Sequence, residues 1–287
     1  MIRELEKISK TIVFCDETIE NFIINAWDHE NLTKIVALSL YRDAVEGLDS
    51  LYILADHGSQ NAVGVSYRHM FEVVLSLMYI MSDENKMKER AQSYYVSEQK
   101  FKINDIQKTL NNPNLSINEK QKLTATLQVV KNSLMQPFIQ NTLKEWEKQK
   151  KKNSNYDPKW HMLFKGPKSV VQLVKYLNKN DDLLKKAEAI EGFPDFFKNA
   201  YSVFSRTTHS YSSLDNYLPV NTTTDALIPV SLRPLRIRTE DVLQGHFQIA
   251  GSITILLMAT CVFLMRFYPD YLEKYVEFMK SLRDDPK

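Results

Sequence analysis

Apolar positions recur along this chain at helical spacing for most of its length. Between Arg3 and about Trp27, the residues Leu5, Ile8, Ile12, Val13, Ile19, Phe22 and Ile23 alternate with charged positions, which predicts an amphipathic helix. A second helix is predicted from Leu32 to Ala55, stopping at His57, Gly58 and Ser59, where Gly58 suits the left-handed position that follows a helix end. The third opens near Ser59 and runs through NAVGVSYRHMFEVVLSLMYIMSD. It is apolar on most faces, which predicts a central helix.

From Glu84 to about Lys152 the pattern changes to a polar stretch rich in Lys, Gln and Asn, broken by NNPN and by Pro137. Ser116 and Glu119 have the spacing of a capping box, so a helix is expected to restart there. The segment reads as a helical hairpin arm with thin apolar seams at Leu123, Leu127, Val130 and Leu134. Such an arm is either simply solvated or a surface for oligomerisation or a protein partner. Its last turn, KQKKKN at Lys148 to Asn153, suits a helix C-terminus and is also a candidate RNA or phosphate contact.

The loop NSNYDPKWHMLFKGPKS then places Trp160 and His161 among lysines, before a short helix at Ser169 to Leu177. A further helix is expected over GFPDFFKNAYSVFSRTTHSYSS, with Pro194 near its first turn. Tyr211 to Thr239 reads as a long irregular connection containing LRPLRIR, and Thr239 as the cap of an apolar helix. A terminal amphipathic helix over PDYLEKYVEFMKSLR closes the pattern. The expected fold is all-α: a helical bundle with a central apolar C-terminal helix and a projecting polar hairpin. Residues 1–83 and 153–287 form its core and residues 84–152 the inserted arm.

Composition narrows this picture. Only 7 Gly and 10 Pro punctuate 287 residues, too few for the turns of an all-β protein. The formal net charge of +2 gives no global electrostatic footprint for nucleic acid. Cys15 and Cys261 are the only cysteines, each in an apolar helical pattern, which excludes a disulfide framework or a zinc knuckle. The N-terminus lacks a secretory pattern, so the cytoplasm is the expected compartment. The run Ile249 to Met265 has roughly seventeen residues, the lower edge of what spans a bilayer. A helix buried among others is equally apolar all round, and that reading is preferred over a membrane span.

Two constellations could carry chemistry. Arg68 and Glu72 lie four apart on the most apolar helix, where burying two ionised groups requires either mutual pairing or a polar pocket. His69 points elsewhere on that helix and is expected to be packed. The second set is Tyr201, Ser205 and His209, one helical turn apart in succession, with Ser202, Arg206 and Ser210 as a neighbouring stripe. An imidazole one turn from a hydroxyl permits proton transfer near neutral pH. There is no GxxxxGK[ST], no HExxH and no GxSxG. Asp28, Glu30, Asp56 and Glu72 lack the Glu-x-x-His repeats of helical di-iron sites, so neither a metal nor another cofactor is expected.

The order GSQNAVGVSYRHMFEVVLSLMYI, then PKW, then YSVFSRTTHS resembles a family of bacterial all-helical proteins known only as a domain of unknown function. The resemblance spans Leu32 to about Met265 apart from the arm, and its pattern falls on Arg68, Glu72, Trp160, Tyr201, Ser205 and His209. The family name supplies no activity. A more distant resemblance is to the nucleotide-binding helical bundles of higher eukaryotes and prokaryotes, many of them metal-independent RNases of toxin and antiphage systems. Their hallmark is an Arg followed after four to six residues by a His. This chain departs from it, because Arg206 and His209 are only three apart.

These resemblances imply an effector directed at RNA or a nucleotide, with Arg68, Glu72, Tyr201, Ser205 and His209 catalytic and Lys159, Trp160 and Arg206 binding substrate. The alternatives are a non-catalytic helical interaction module with a structural polar cluster, and a membrane-acting effector using Ile249 to Met265. Arg68, Glu72 and His209 are expected to converge. Expected partners are RNA or a nucleotide, and a second copy or another protein through the arm.

Overall fold

The computed structural model describes residues 2–28, 30–152, 156–180, 217–219, 230–232 and 243–283. Within them the chain is all-α. Nine α-helices are described: α1 (Ile2–Ala26), α2 (Leu32–Asp56), α3 (Gln60–Met81), α4 (Met87–Leu110), α5 (Ile117–Ser133), α6 (Gln140–Lys152), α7 (Val170–Asn180), α8 (Leu243–Phe267) and α9 (Leu272–Arg283). The connection between α7 and α8 is not wholly irregular as its composition suggested. Tyr217–Pro219 and Val230–Leu232 pair as a short antiparallel ribbon, with Leu218 opposite Ser231.

Contacts divide the chain into two units, one of Met1–Trp27, Leu38–Ser82 and Val174–Lys287, the other of Asp28–Ala37 and Asp83–Leu173. In the first, α8 packs against α3 and α1. Every residue of α8 from 251 to 264 is buried. A helix enclosed on all sides needs no polar face, and this one settles its own hydroxyls. Ser252, Thr254 and Thr260 donate to the carbonyls of Ile249, Ala250 and Leu256. Such back-bonding lets Ser and Thr sit in an apolar interior without an orphaned O–H.

The same device shapes α1. Its buried face is Ile8, Thr11, Phe14, Cys15, Thr18, Ile19 and Phe22. Thr11 and Thr18 donate to the carbonyls of Lys7 and Phe14 and so pack as if they were valines. Val13 and Ile23, expected on the apolar face, are about half exposed at 54% and 48%. Aromatic rings fill the seam: Phe22 meets Phe263 edge-on with centroids 5.1 Å apart, and Tyr41 stacks on Phe263 at 4.8 Å. On α9, Tyr275 donates from its hydroxyl to the Leu257 carbonyl at 3.0 Å.

Helix α2 ends as its sequence requires. Gly58 has φ 71°, its N–H bonds the Ala55 carbonyl, and Ser59 N–H reaches back to Leu54 at 2.9 Å. These paired bonds are a Schellman motif, and the positive φ explains the glycine.

The second unit contains the polar segment, and it has a core of its own. Val96, Leu134, Ile139, Trp146 and Leu163 are buried together, with Leu32, Tyr95, Ile103, Leu143 and Phe164 packed around them. Helix α4 packs against α5, α6 and the 3₁₀ turn Trp160–Lys165. Ser116 and Glu119 form the reciprocal capping box at the start of α5. Gln92, buried on α4, accepts from the Thr142 hydroxyl and donates to the Phe138 carbonyl at 2.9 Å, tying the start of α6 to α4.

Candidate functional site

On α3 the polar positions fall in one stripe. Val65 and His69 are exposed, while Arg68, Glu72 and Ser76 are half-buried. Arg68 Nε donates to Glu72 Oε1 at 2.9 Å, with the side chains 24% and 41% accessible. Ser76 in turn donates to the Glu72 carbonyl. This corrects the expectation of a buried pair: the apolar helix is not enclosed all round, and its ionised residues occupy the narrow stripe that reaches solvent. An accessible i, i+4 pair adds only a few tenths of a kcal/mol to stability. Its consequence is orientation, since the carboxylate holds one edge of a planar guanidinium. His69 is also corrected: its side chain is 63% accessible, with Nε2 3.6 Å from Asp43 Oδ1.

The turn at Trp160 gathers a second group. Lys159, exposed, precedes the 3₁₀ turn, and Trp160 meets Tyr94 of α4 edge-on at 5.3 Å. Phe164 and Lys165 have φ of 52° and 64°, two consecutive left-handed residues without a glycine. His161 is buried beneath, its Nδ1–H donating to the Pro167 carbonyl at 2.6 Å. A carbonyl only accepts, so Nδ1 carries the proton and Nε2 keeps its lone pair. Burial is the larger influence and pushes the imidazole below its ordinary value, which keeps it neutral at neutral pH. Sequence reasoning singled out Lys159 and Trp160 and named His161 beside them without giving it a role, since no motif marks it.

A third group is sealed in the first unit. Thr260 Oγ1 donates to Leu256, so it can only accept from its other neighbours, the Tyr41 hydroxyl at 2.9 Å and the Cys15 thiol at 3.5 Å. One donor and two lone pairs are thereby all used. Burial pushes the Cys15 thiol up to about 11, outweighing its polar contacts with Tyr41 and Thr260, which act the other way. A thiol held protonated and enclosed is a poor nucleophile.

Finally, α6 borders an open groove of about 520 Å³ lined by Gln140, Leu143, Lys144, Glu147, Lys148, Lys151 and Lys152. Tyr201, Ser205, Arg206 and His209 lie outside the described residues, and so does the convergence of His209 with Arg68 and Glu72. The expected roles of Pro194 and Thr239 fall outside them as well. Among the described residues no three His, Cys, Asp or Glu side chains cluster as metal ligands.

Against known proteins, residues 34–225 match the profile of DUF5677, a family of unknown function. No curated protein matches the chain, and no solved structure matches it.

Proposed function

The chain belongs to the family of unknown function DUF5677, and we propose from its own residues that it is a metal-independent ribonuclease or nucleotide-directed effector of a bacterial toxin or antiphage system. The observation that carries this reading is the Arg68 guanidinium, held through Nε by Glu72 yet still accessible on the solvent-reaching stripe of a mostly apolar helix. A planar, permanently charged fork fixed in orientation is suited to a phosphodiester, whose developing charge it stabilises. In this reading His209 moves the proton, Ser205 and Tyr201 orient it, and Lys159, Trp160 and Arg206 bind the substrate. The sequence spacing of Tyr201, Ser205 and His209 supports that division of labour.

The second reading is a non-catalytic helical interaction module. The Cys15, Tyr41 and Thr260 cluster favours it, because a polar group saturated inside the core specifies packing and leaves nothing for a ligand. A membrane-acting role draws no support from α8, whose most apolar window is 83% buried.

The test is His209→Ala and Arg68→Ala, each followed by thermal melting and by RNA cleavage or growth arrest. The effector reading expects loss of roughly a hundred- to ten-thousand-fold in rate for His209→Ala with melting nearly unchanged. Full activity in both variants returns the protein to the interaction-module reading.

A further inference from the structure

The lysines of α6 are not accounted for by helix-end electrostatics alone. Lys150, Lys151 and Lys152 occupy the last turn, where cations complement the helix dipole. Lys148 and Lys144 lie about one and two turns earlier, yet share the groove with Lys151 and Lys152. The spacing 144, 148, 151, 152 is a single helical face about 12 Å long at 1.5 Å per residue.

Two of the acidic neighbours are occupied by lysines outside this face. Glu147 is ion-paired to Lys100 of α4, whose ammonium also lies 4.8 Å over the Trp146 ring. Asp157 accepts from Lys150 at 3.0 Å and from Asn104 at 2.9 Å. Lys148 has Glu145 at 3.4 Å and Lys152 also lies within the field of that carboxylate, whereas Lys144 and Lys151 make no ion pair among the described residues.

Exposed aromatic rings bracket this helix in sequence. Phe138 lies two residues before it, its carbonyl fixed by Gln92 and the residue 51% exposed. Tyr156 follows it, 70% exposed and next to the anchored Asp157. A cationic track with exposed rings at either end of it in sequence suits a single strand, which is held without sequence readout by phosphate contacts and base stacking.

We propose that the α6 groove binds single-stranded nucleic acid, with Lys144, Lys148, Lys151 and Lys152 along the phosphates and Phe138 and Tyr156 stacking on bases. The proposal rests on the reading of the protein as RNA-directed and names side chains that hold the strand. Duplexes fit less well, because their bases are already stacked and offer the rings no partner.

Binding of the full chain to a labelled oligouridine of about a dozen nucleotides, followed by fluorescence anisotropy over a salt series, tests it. Each neutralised phosphate contributes about −0.7 to the slope of log affinity against log salt for single strands. The triple variant Lys144→Gln, Lys151→Gln, Lys152→Gln should therefore lose about 2 from that slope, and about tenfold or more in affinity at low salt. Phe138→Ala and Tyr156→Ala should each weaken binding about fivefold or more while leaving the slope unchanged. Inorganic polyphosphate and anionic vesicles are the competing probes. An unchanged slope in the triple variant overturns the proposal, as does unaltered affinity in both aromatic variants, or polyphosphate binding as tightly as the oligonucleotide. Failure of the ribonuclease reading is seen separately, as full activity in Arg68→Ala and His209→Ala.

Discussion

The Tyr41 hydroxyl donates to Thr260 Oγ1 across 2.9 Å of fully buried core, joining residues 219 positions apart in the chain. Thr260 is the hub of that contact, since its own proton is committed to Leu256 on the same helix. Removing the acceptor and removing the donor are therefore different perturbations.

Thr260→Val preserves shape but strands the Tyr41 hydroxyl and the Cys15 thiol. It should cost about 1–3 kcal/mol. Adding Tyr41→Phe removes the stranded hydroxyl, so the double variant should be more stable than Thr260→Val alone. Denaturant unfolding of the two singles and the double measures the coupling, and strictly additive losses would show that the hydrogen bond contributes nothing beyond packing.

Cys15 sets an alkaline limit. Its thiol ionises near 9.0 when unconstrained and is pushed up to about 11 in the fold. The unfolded chain releases that proton first, so the contribution is fully present below about pH 9 and is lost as pH rises toward 11. Two pH units correspond to about 3 kcal/mol. Cys15→Ser keeps a donor for Thr260 but does not titrate in this range. Urea melts at pH 8, 9, 10 and 11 should show a shallower decline for the variant, and parallel declines would remove the thiol as the cause.

Gly47 lies where α2 meets α3. A Cβ added there would approach Met70 Cβ and Cγ at 3.1 Å. Alanine favours a helix over glycine by about 1 kcal/mol. Here the obstructing atoms sit close to the Met70 backbone and cannot swing away, so overpacking of about 1–3 kcal/mol outweighs that gain. Gly47→Ala should lower the melting temperature by several degrees, and a rise would mean that α3 shifts freely.

Much of the architecture could be read from spacing. The helix boundaries of α1, α2 and α3, the Gly58 terminus and the Ser116 capping box rest on short-range chemistry that a sequence states directly. What could not be read was which apolar residues face inward. Thr11 and Thr18 lie on the buried face of α1 while Val13 and Ile23 do not, because back-bonding cancels the cost of a hydroxyl and hydropathy alone does not register it.

The same limit applies to the sites. Arg68 and Glu72 were identifiable as a pair, since four residues along a helix fix their proximity. Their exposure depends on neighbours remote in sequence. His161 carried no signal, because its partner is the backbone carbonyl of Pro167 and any residue could have supplied it. The α6 groove was visible only as a basic run.

The enclosure of α8 also sets a timetable. Helices α1 and α3 bury their apolar faces against a segment that a ribosome completes long after them, since α3 ends at Met81 and α8 begins at Leu243. At about 5–20 residues per second the interval is on the order of ten to thirty seconds. During it the nascent chain exposes the apolar surface of two finished helices that α8 will later cover. A chain stopped before Leu243 lacks the segment that covers this surface, and such a product is expected to be more sensitive to proteolysis than the full chain.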